Sequence, residues 1–409
     1  MDKTNIVIHK YGGTSISNSD RVKKAAKRIR NIVESGKKVV VVVSAQGDTT
    51  DRLIGLAMEL NNTPPPREMD MLLSTGEQVS IALMAMSLNA LSVKTVSLTG
   101  WQAGINTDIK FGSASVNDVN IENIEKLLET YDCIVVAGFQ GLGNGNEITT
   151  LGRGGSDTTA LILAATLGVE MCEVFTDVDG VFSADPRYVK DARKLQDLSF
   201  DEMLELASEG ARVMDGRAVS FAKRYGIAIH VRSFNSDESG TIVRGESVLE
   251  KHAVRGVSYK NDISKVTLVG IPKTPEALYK IFDVIGENGI CVDAILQTDS
   301  TKDRTDVTFT LMRSDLLNVV KVLQEVAREL DVSDVQYEVD CAKVSIVGEG
   351  MKNRPGIAAK LFKALAEREI NIHMTSTSDT NISVIINLDH VFEAVNAIHE
   401  KFNLAKEEV

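Results

Sequence analysis

Apolar runs and helical repeats alternate along the first 245 or so positions. Residues 5–9, 38–43, 93–98, 132–139 and 172–176 read as strands. Five consecutive valines, 39–43, show no polar alternation. Such a run fits a strand buried on both faces of a parallel or mixed sheet. Between the strands, Val22, Ala26, Ile29 and Val33 recur at helical spacing, and Gly36 supplies a stop. Ser199-Phe-Asp-Glu202 is a capping box opening a helix over 203–207, with Gly210 beyond it. Strand–helix alternation of this kind predicts an α/β domain covering 1–245.

The pattern weakens around 235–254, where SDESGTIVRGES is polar and turn-rich. Beyond it the chain repeats itself. Lys265-Val-Thr-Leu-Val-Gly270 matches Lys343-Val-Ser-Ile-Val-Gly348. Pro275 matches Pro355, Phe282 matches Phe362, and Ile290-Cys-Val292 matches Ile370-Asn-Ile372. The second copy carries two extra residues near its first loop. Each copy reads strand, loop with proline, helix, strand, strand, helix. Two copies are too few for a solenoid. They fit paired βαββαβ modules over 263–337 and 338–409, after a linker at 246–262.

Composition narrows the classes. The chain has 409 residues, of which 43% are hydrophobic and 25% charged, as in globular proteins of two or three domains. Its net charge of −12 argues against nucleic acid or an anionic membrane as the main partner. The four cysteines form no CxxC, so neither structural zinc nor a disulfide framework is expected. The six histidines show no ligand spacing, and no resident metal site is expected. No leader segment and no membrane span are expected, so the expected compartment is a reducing cytoplasm.

Five polar loops carry the candidate chemistry. His9-Lys10-Tyr11-Gly12-Gly13-Thr14-Ser15 leaves the first strand with two glycines, whose backbone N–H groups can approach an anion, and a lysine. Thr150-Leu-Gly152-Arg153-Gly154-Gly155-Ser156-Asp157 opens a predicted helix over 158–167, capped by Ser156 or Asp157 and ended by Gly168. Glycines before a helix N-terminus make an anion site, and Arg153 can fork onto a carboxylate. Ser44-Ala45 with Gly47–Asp51 follows the valine strand. Ser74-Thr75-Gly76-Glu77 reads as a further polar turn, and Thr176–Phe182 with Asp185-Pro186-Arg187 as an acid-rich loop. Singly, these last three also fit plain turns. Together the five suit phosphoryl transfer from a metal–nucleotide to a small carboxylate acceptor.

HKYGGTS, VVSAQGDTTD, STGEQ, TLGRGGSDTTA and FTDVDGVFSADPR, in this order, closely resemble the aspartokinase family of the amino-acid kinase fold. The tandem repeat resembles that family's paired ACT regulatory domains. The resemblance implies an αβα sandwich with a mostly parallel sheet, then two ferredoxin-like ACT modules. It implies ATP with Mg²⁺, L-aspartate as acceptor, and 4-phospho-L-aspartate as product, at the opening of lysine, threonine and methionine biosynthesis. Matched by position, Lys10 and Asp157 form the catalytic pair. Lys10, Tyr11, Gly12, Gly13, Ser44 and Ser156 line the phosphates, with Thr176, Asp177, Phe182, Asp185 and Arg187 around the nucleotide. Thr50, Glu77, Arg153, Gly154, Gly155 and Ser156 hold aspartate.

The same resemblance places Lys273, Leu278, Cys291, Val292, Asp293 and Gln297 of the first module, and Asn371 and Ile372 of the second, at an effector pocket for lysine or threonine. Lys273 stands where the family usually has an acidic residue, and Glu276 where it has glycine. A strand near 254–258 is expected to complete the second module's sheet, and a homodimer or larger homo-oligomer is expected through the ACT modules. Two rivals remain at this stage. One is a kinase of the same fold acting on glutamate, N-acetylglutamate or a nucleotide, against which the paired modules argue. The other is a catalytically silent amino-acid sensor, against which intact Lys10, Arg153 and Asp157 argue.

Overall fold

The structure is a computed structural model that describes residues 5–211, 213–245, 253–300, 303–351 and 354–406. It divides into two compact units. The first comprises 1–182, 194–208 and 212–249, and the second 183–193, 209–211 and 250–409. The segments 183–193 and 209–211, expected within the first domain, thus belong by their contacts to the second unit. The expected linker lies partly in 246–252, outside the described residues.

In chain order the first unit contains β1 (Ile6–Tyr11), α1 (Ser19–Glu34), β2 (Lys38–Val43), α2 (Thr49–Leu60), α3 (Pro66–Asn89), β3 (Thr95–Leu98), β4 (Ile105–Thr107) and β5 (Val116–Val119). Then come α4 (Glu122–Thr130), β6 (Cys133–Ala137), β7 (Gln140–Gly143), β8 (Glu147–Thr150), α5 (Gly155–Leu167) and β9 (Met171–Thr176). It closes with β10 (Asp197–Ser199), α6 (Phe200–Ser208), α7 (Gly216–Tyr225), β11 (Ala228–Ser233) and β12 (Thr241–Arg244). Eight strands form one sheet in the order β10-β12-β11-β9-β1-β2-β6-β3, and β5-β4-β7-β8 form a smaller one. In the large sheet only β11–β12 pair antiparallel.

The elements form where local chemistry favours them. The Asn18 side chain caps α1 by accepting from the Arg21 N–H, and Val22, Ala25, Ala26 and Ile29 are its buried stripe. All five valines of β2 are fully buried. Val39, Val41 and Val43 pack with Tyr11, α1 and α3 in one core cluster. Alternation along the strands turns Lys10 and Val42 to the other face, which α5 covers. The result is a three-layer αβα unit. The capping box is present: Ser199 N–H donates to Glu202 Oε2, and Glu202 N–H to Ser199 Oγ, both at 3.1 Å.

Two expectations need correction. Residues 74–77 are not a turn but lie inside α3, because Leu72, Leu73, Ile81 and Met84 continue a helical pattern through them. That helix is also long and apolar enough to cross a membrane by length and composition alone. It packs against β3, β6 and β8, however, and buries Asp70, Ser74, Glu77 and Ser80. Finally, α5 starts at Gly155 with Gly154 as its left-handed N-cap and no side-chain cap. Ser156 and Asp157 lie within the first turn rather than capping it; Gly168 ends the helix as expected.

The second unit holds β13 (Gly256–Pro272), α8 (Pro275–Glu287), β14 (Val292–Asp299), β15 (Arg304–Met312), α9 (Leu316–Glu329), β16 (Asp334–Val347), α10 (Ile357–Ala366), β17 (Ile372–Thr377), β18 (Asn381–Asn387) and α11 (Val391–Lys401). This is βαββα twice over, in a single sheet ordered β14-β15-β13-β16-β18-β17. The two long strands serve both modules. Val266–Val269 of β13 pair with Asp334–Tyr337 of β16, while Gly256–Lys260 pair with Lys343–Val347. Strand β13 therefore runs unbroken across residue 262, and its first part completes the second module's sheet. Ala184 and Val189 join that module's core.

Candidate functional site

Adjacent strands β9, β1, β2 and β6 are parallel, so their carboxyl ends lie along one edge of the sheet. Ligands of open α/β sheets bind outside such an edge. Gly12 and Gly13 leave β1, Ser44 and Ala45 leave β2, Gly138 follows β6, and Thr176 ends β9. The exits are tightly set. Gly12 N–H donates to the Phe175 carbonyl at 3.2 Å, and Ser44 N–H to the Tyr11 carbonyl at 3.1 Å. A Cβ on Gly13 would stand 2.5 Å from the Ala45 carbonyl oxygen, so only glycine fits that approach.

The N-terminus of α5 comes to the same edge. Lys10 Nζ lies 2.7 Å from Asp157 Oδ1, and both side chains are almost buried. Gly138 passes so close to Ser156 that a Cβ would meet its Cβ and Oγ at 2.7 Å. Gly155 N–H turns back to the Gly152 carbonyl at 3.0 Å, but no side chain caps α5, so the Ser156 and Asp157 N–H groups face outward to an anion, and the helix dipole favours negative charge there. A cation, an open helix N-terminus and two glycine-lined exits thus converge.

Glu77 reaches the site from α3. Its Oε1 accepts the Ala45 N–H at 2.8 Å, while buried Oε2 has no hydrogen-bond partner among the described residues. Burial pushes its carboxyl up to about 7, against the pull of the Ala45 N–H. Thr50 lies half-buried in the first turn of α2. Arg153 is exposed, and its guanidinium has no partner among the described residues. Thr176 and Asp177 close the β9 exit, joined by a 3.1 Å hydrogen bond; Phe182 bridges to Lys194.

One assigned side chain is turned away. The Tyr11 side chain is fully buried and stacks on Phe175 at 4.8 Å on the α1 side of the sheet. It offers the site only its backbone, because strand alternation points it away from Lys10. Asp185 and Arg187 belong to the second unit, where they pair at 2.6 Å and Tyr259 Oη lies 3.5 Å from Asp185. Of the effector set, Asp293 binds Lys343 at 3.0 Å and Lys273 binds Asp299 at 2.8 Å. Leu278 flanks the first module's core. Cys291 is exposed on the approach to β14, Val292 and Gln297 lie on that strand, Asn371 precedes β17 and Ile372 starts it. Ala294 of β14 packs against a small apolar cluster of Ile263, Cys341, Met374 and Ile385, while β14 and β17 themselves form the opposite edges of the sheet.

Sequence reasoning missed the supports of the arginine loop. Asp70, fully buried in α3, accepts from Thr150 N–H at 2.8 Å, Thr150 Oγ1 at 2.7 Å and Gly112 N–H at 3.0 Å. Arg217 of α7 donates to the Leu151 and Arg153 carbonyls. An acidic residue within an apolar helical stretch was the one available signal for Asp70.

Fold and site together define a phosphotransferase class, and comparison with known proteins agrees. Residues 5–233 match the family model of the amino acid kinase family, and 344–402 match that of the ACT domain. The chain is 48% identical to an aspartokinase of Geobacillus stearothermophilus over 403 residues, covering 98% of each chain. It is 44% identical to aspartokinase 2 of Bacillus subtilis (strain 168), again over 98% of each. A crystal structure of aspartate kinase from Synechocystis is 39% identical, with a TM-score of 0.55, over 99% of this chain and 70% of that one. The R-state structure of E. coli aspartokinase III in complex with aspartate and ADP is 24% identical with a TM-score of 0.82, over 97% and 99%, a likeness of fold. The chain belongs to the amino acid kinase family and, within it, to the aspartokinases: it is an aspartate kinase with a C-terminal ACT region.

Proposed function

We propose that the chain transfers the γ-phosphoryl group of ATP to the β-carboxylate of L-aspartate, giving 4-phospho-L-aspartate for lysine, threonine and methionine biosynthesis. The observation that carries this is the Lys10–Asp157 pair, which joins the β1 exit to the N-terminus of α5. The attacking carboxylate has an ordinary pKa of about 3.9 and is ionised near pH 7, so no general base is needed. Catalysis then rests on alignment and charge neutralisation. Lys10 and the Ser156 and Asp157 N–H groups of α5 neutralise the phosphoryl oxygens, and Asp157 orients the Lys10 ammonium. Gly12, Gly13, Ser44 and Ser156 line the phosphates, with Thr176, Asp177 and Phe182 toward the nucleotide. Thr50, Glu77, Arg153, Gly154 and Gly155 hold aspartate, Arg153 on the α-carboxylate and Glu77 on the ammonium.

Mg²⁺ enters as part of the nucleotide substrate. Such an ion is held chiefly by phosphates and water. The ACT modules bind lysine or threonine and pair two or more copies of the chain. All four cysteines are free, in keeping with a reducing cytoplasm.

A coupled ADP-release assay tests the reading. Aspartate is expected to support turnover where glutamate and N-acetylglutamate do not, and lysine, threonine or both to lower it. Lys10→Ala is expected to cut kcat by about 100-fold or more while aspartate KM moves much less, since the charge it neutralises develops in transfer. A raised KM with kcat intact refutes the role.

A further inference from the structure

The loop from Thr150 to Gly154 carries Arg153, yet its conformation is imposed from outside. Asp70 holds its first residue, Thr150, by the N–H and the hydroxyl, and ties it to the Gly112 N–H of a second segment. The other end is held by α7. Arg217 Nη2 donates to the Leu151 carbonyl at 2.8 Å and to the Arg153 carbonyl at 3.1 Å. Asp215 caps α7 by accepting the Arg217 N–H at 2.9 Å. The two glycines of the loop make room for this clamp. A Cβ on Gly152 would stand 2.9 Å from Arg217 Nη2, and one on Gly154 would stand 2.2 Å from Asp215 Cβ. Both glycines also have left-handed φ, 74° and 66°. The sequence GRG is therefore shaped by an arginine more than 60 residues downstream as well as by its helix.

The contrast between backbone and head group gives the clamp its meaning. Arg153 has a backbone carbonyl fixed by a charged donor, whereas its guanidinium has no partner among the described residues. A long flexible side chain loses least entropy on binding when its base is already set. Arg217 is exposed, and its guanidinium forks onto two carbonyls. We propose that Arg217 is a positioning residue for aspartate recognition: it fixes the backbone from which Arg153 reaches the α-carboxylate, without touching either substrate. This rests on the assignment of Arg153 given above.

The test is steady-state kinetics of the full chain with aspartate and ATP varied separately, for R153A, R217A, R217K and the double variant R153A/R217A. Charge-assisted hydrogen bonds of this kind predict an aspartate KM raised about tenfold in R217A. ATP KM and kcat at saturating aspartate should stay within about twofold. R217K, which keeps a charged donor, should fall between wild type and R217A. The double variant should be little worse than R153A, because Arg217 acts through Arg153. Thermal melting checks folding, and R217Q replaces R217A should the alanine variant not fold. An unchanged aspartate KM in R217A, an equal rise in ATP KM, or an additive double variant overturns the proposal. An unchanged aspartate KM in R153A marks instead the failure of the underlying assignment, and the proposal falls with it.

Discussion

Glu77 shows how one side chain links burial to recognition. Burial raises its carboxyl to about 7, so in the free enzyme it changes charge near neutrality. Only the ionised form pairs with an ammonium, so kcat/KM for aspartate should fall as pH drops below about 7. Glu77→Gln, which still accepts the Ala45 N–H, should lower kcat/KM and flatten the profile between about pH 6 and 8. Stability should move the other way. A carboxyl raised on folding contributes stability below its unfolded value, and loses it as pH rises through the folded one. At about pH 8 the Gln variant should therefore melt higher than wild type, by a free-energy difference on the order of 3 kcal/mol. A wild-type profile that stays flat to pH 6 contradicts the ammonium contact.

At the scale of elements, the site depends on how closely α5 seats on the strand exits. The seat is backbone against side chain at Gly138 and Ser156, with no slack. Gly138→Ala should push the N-terminus of α5 outward and part Lys10 from Asp157. Overpacking of this kind costs about 1–3 kcal/mol, but the loss in kcat should exceed what that destabilisation explains, because alignment is disturbed. Thermal melting beside kcat separates the two, and an alanine variant with normal kcat shows that the seat is looser than drawn. The helix itself is apolar nearly all round, with Ala160–Ala164 buried. Its identity as a covered helix was therefore legible in the sequence, as was its glycine-led start.

Over the whole molecule, the second unit carries one buried charge network. Lys343, 4% exposed, pairs with Glu209 at 2.9 Å and Asp293 at 3.0 Å, and Glu209 also accepts from Ser345. Burial alone would lower the Lys343 pKa; the Glu209 and Asp293 carboxylates outweigh it and hold the pKa above its ordinary value. Its stabilising contribution is thus present below the unfolded pKa and lost as pH rises through the folded one, in the alkaline range. Lys343→Met takes the cation from buried Glu209, leaving it the Ser345 hydroxyl alone, and should cost about 3–5 kcal/mol. Hydrogen exchange in β16 and β18 should speed accordingly, and unchanged protection there contradicts the network's role.

What the sequence determined by itself was local. The valine run, the helical stripes, the capping box and the glycine-led strand exits depend on neighbours within a few residues, and each appears where the pattern placed it. The repeat was legible because two copies of one module bury matching strand positions, Val266 with Val344 and Leu268 with Ile346. Tertiary structure decided the partners. Asp70 meets Thr150 across 80 positions, Arg217 meets Leu151 across 66, and Lys343 meets Glu209 across 134. It also drew Asp185 and Arg187 into the second unit. Spacing along a chain records preferences over one or two turns. Which distant loops a sheet brings to the same edge depends on strand order, and strand order is settled only when the whole core packs.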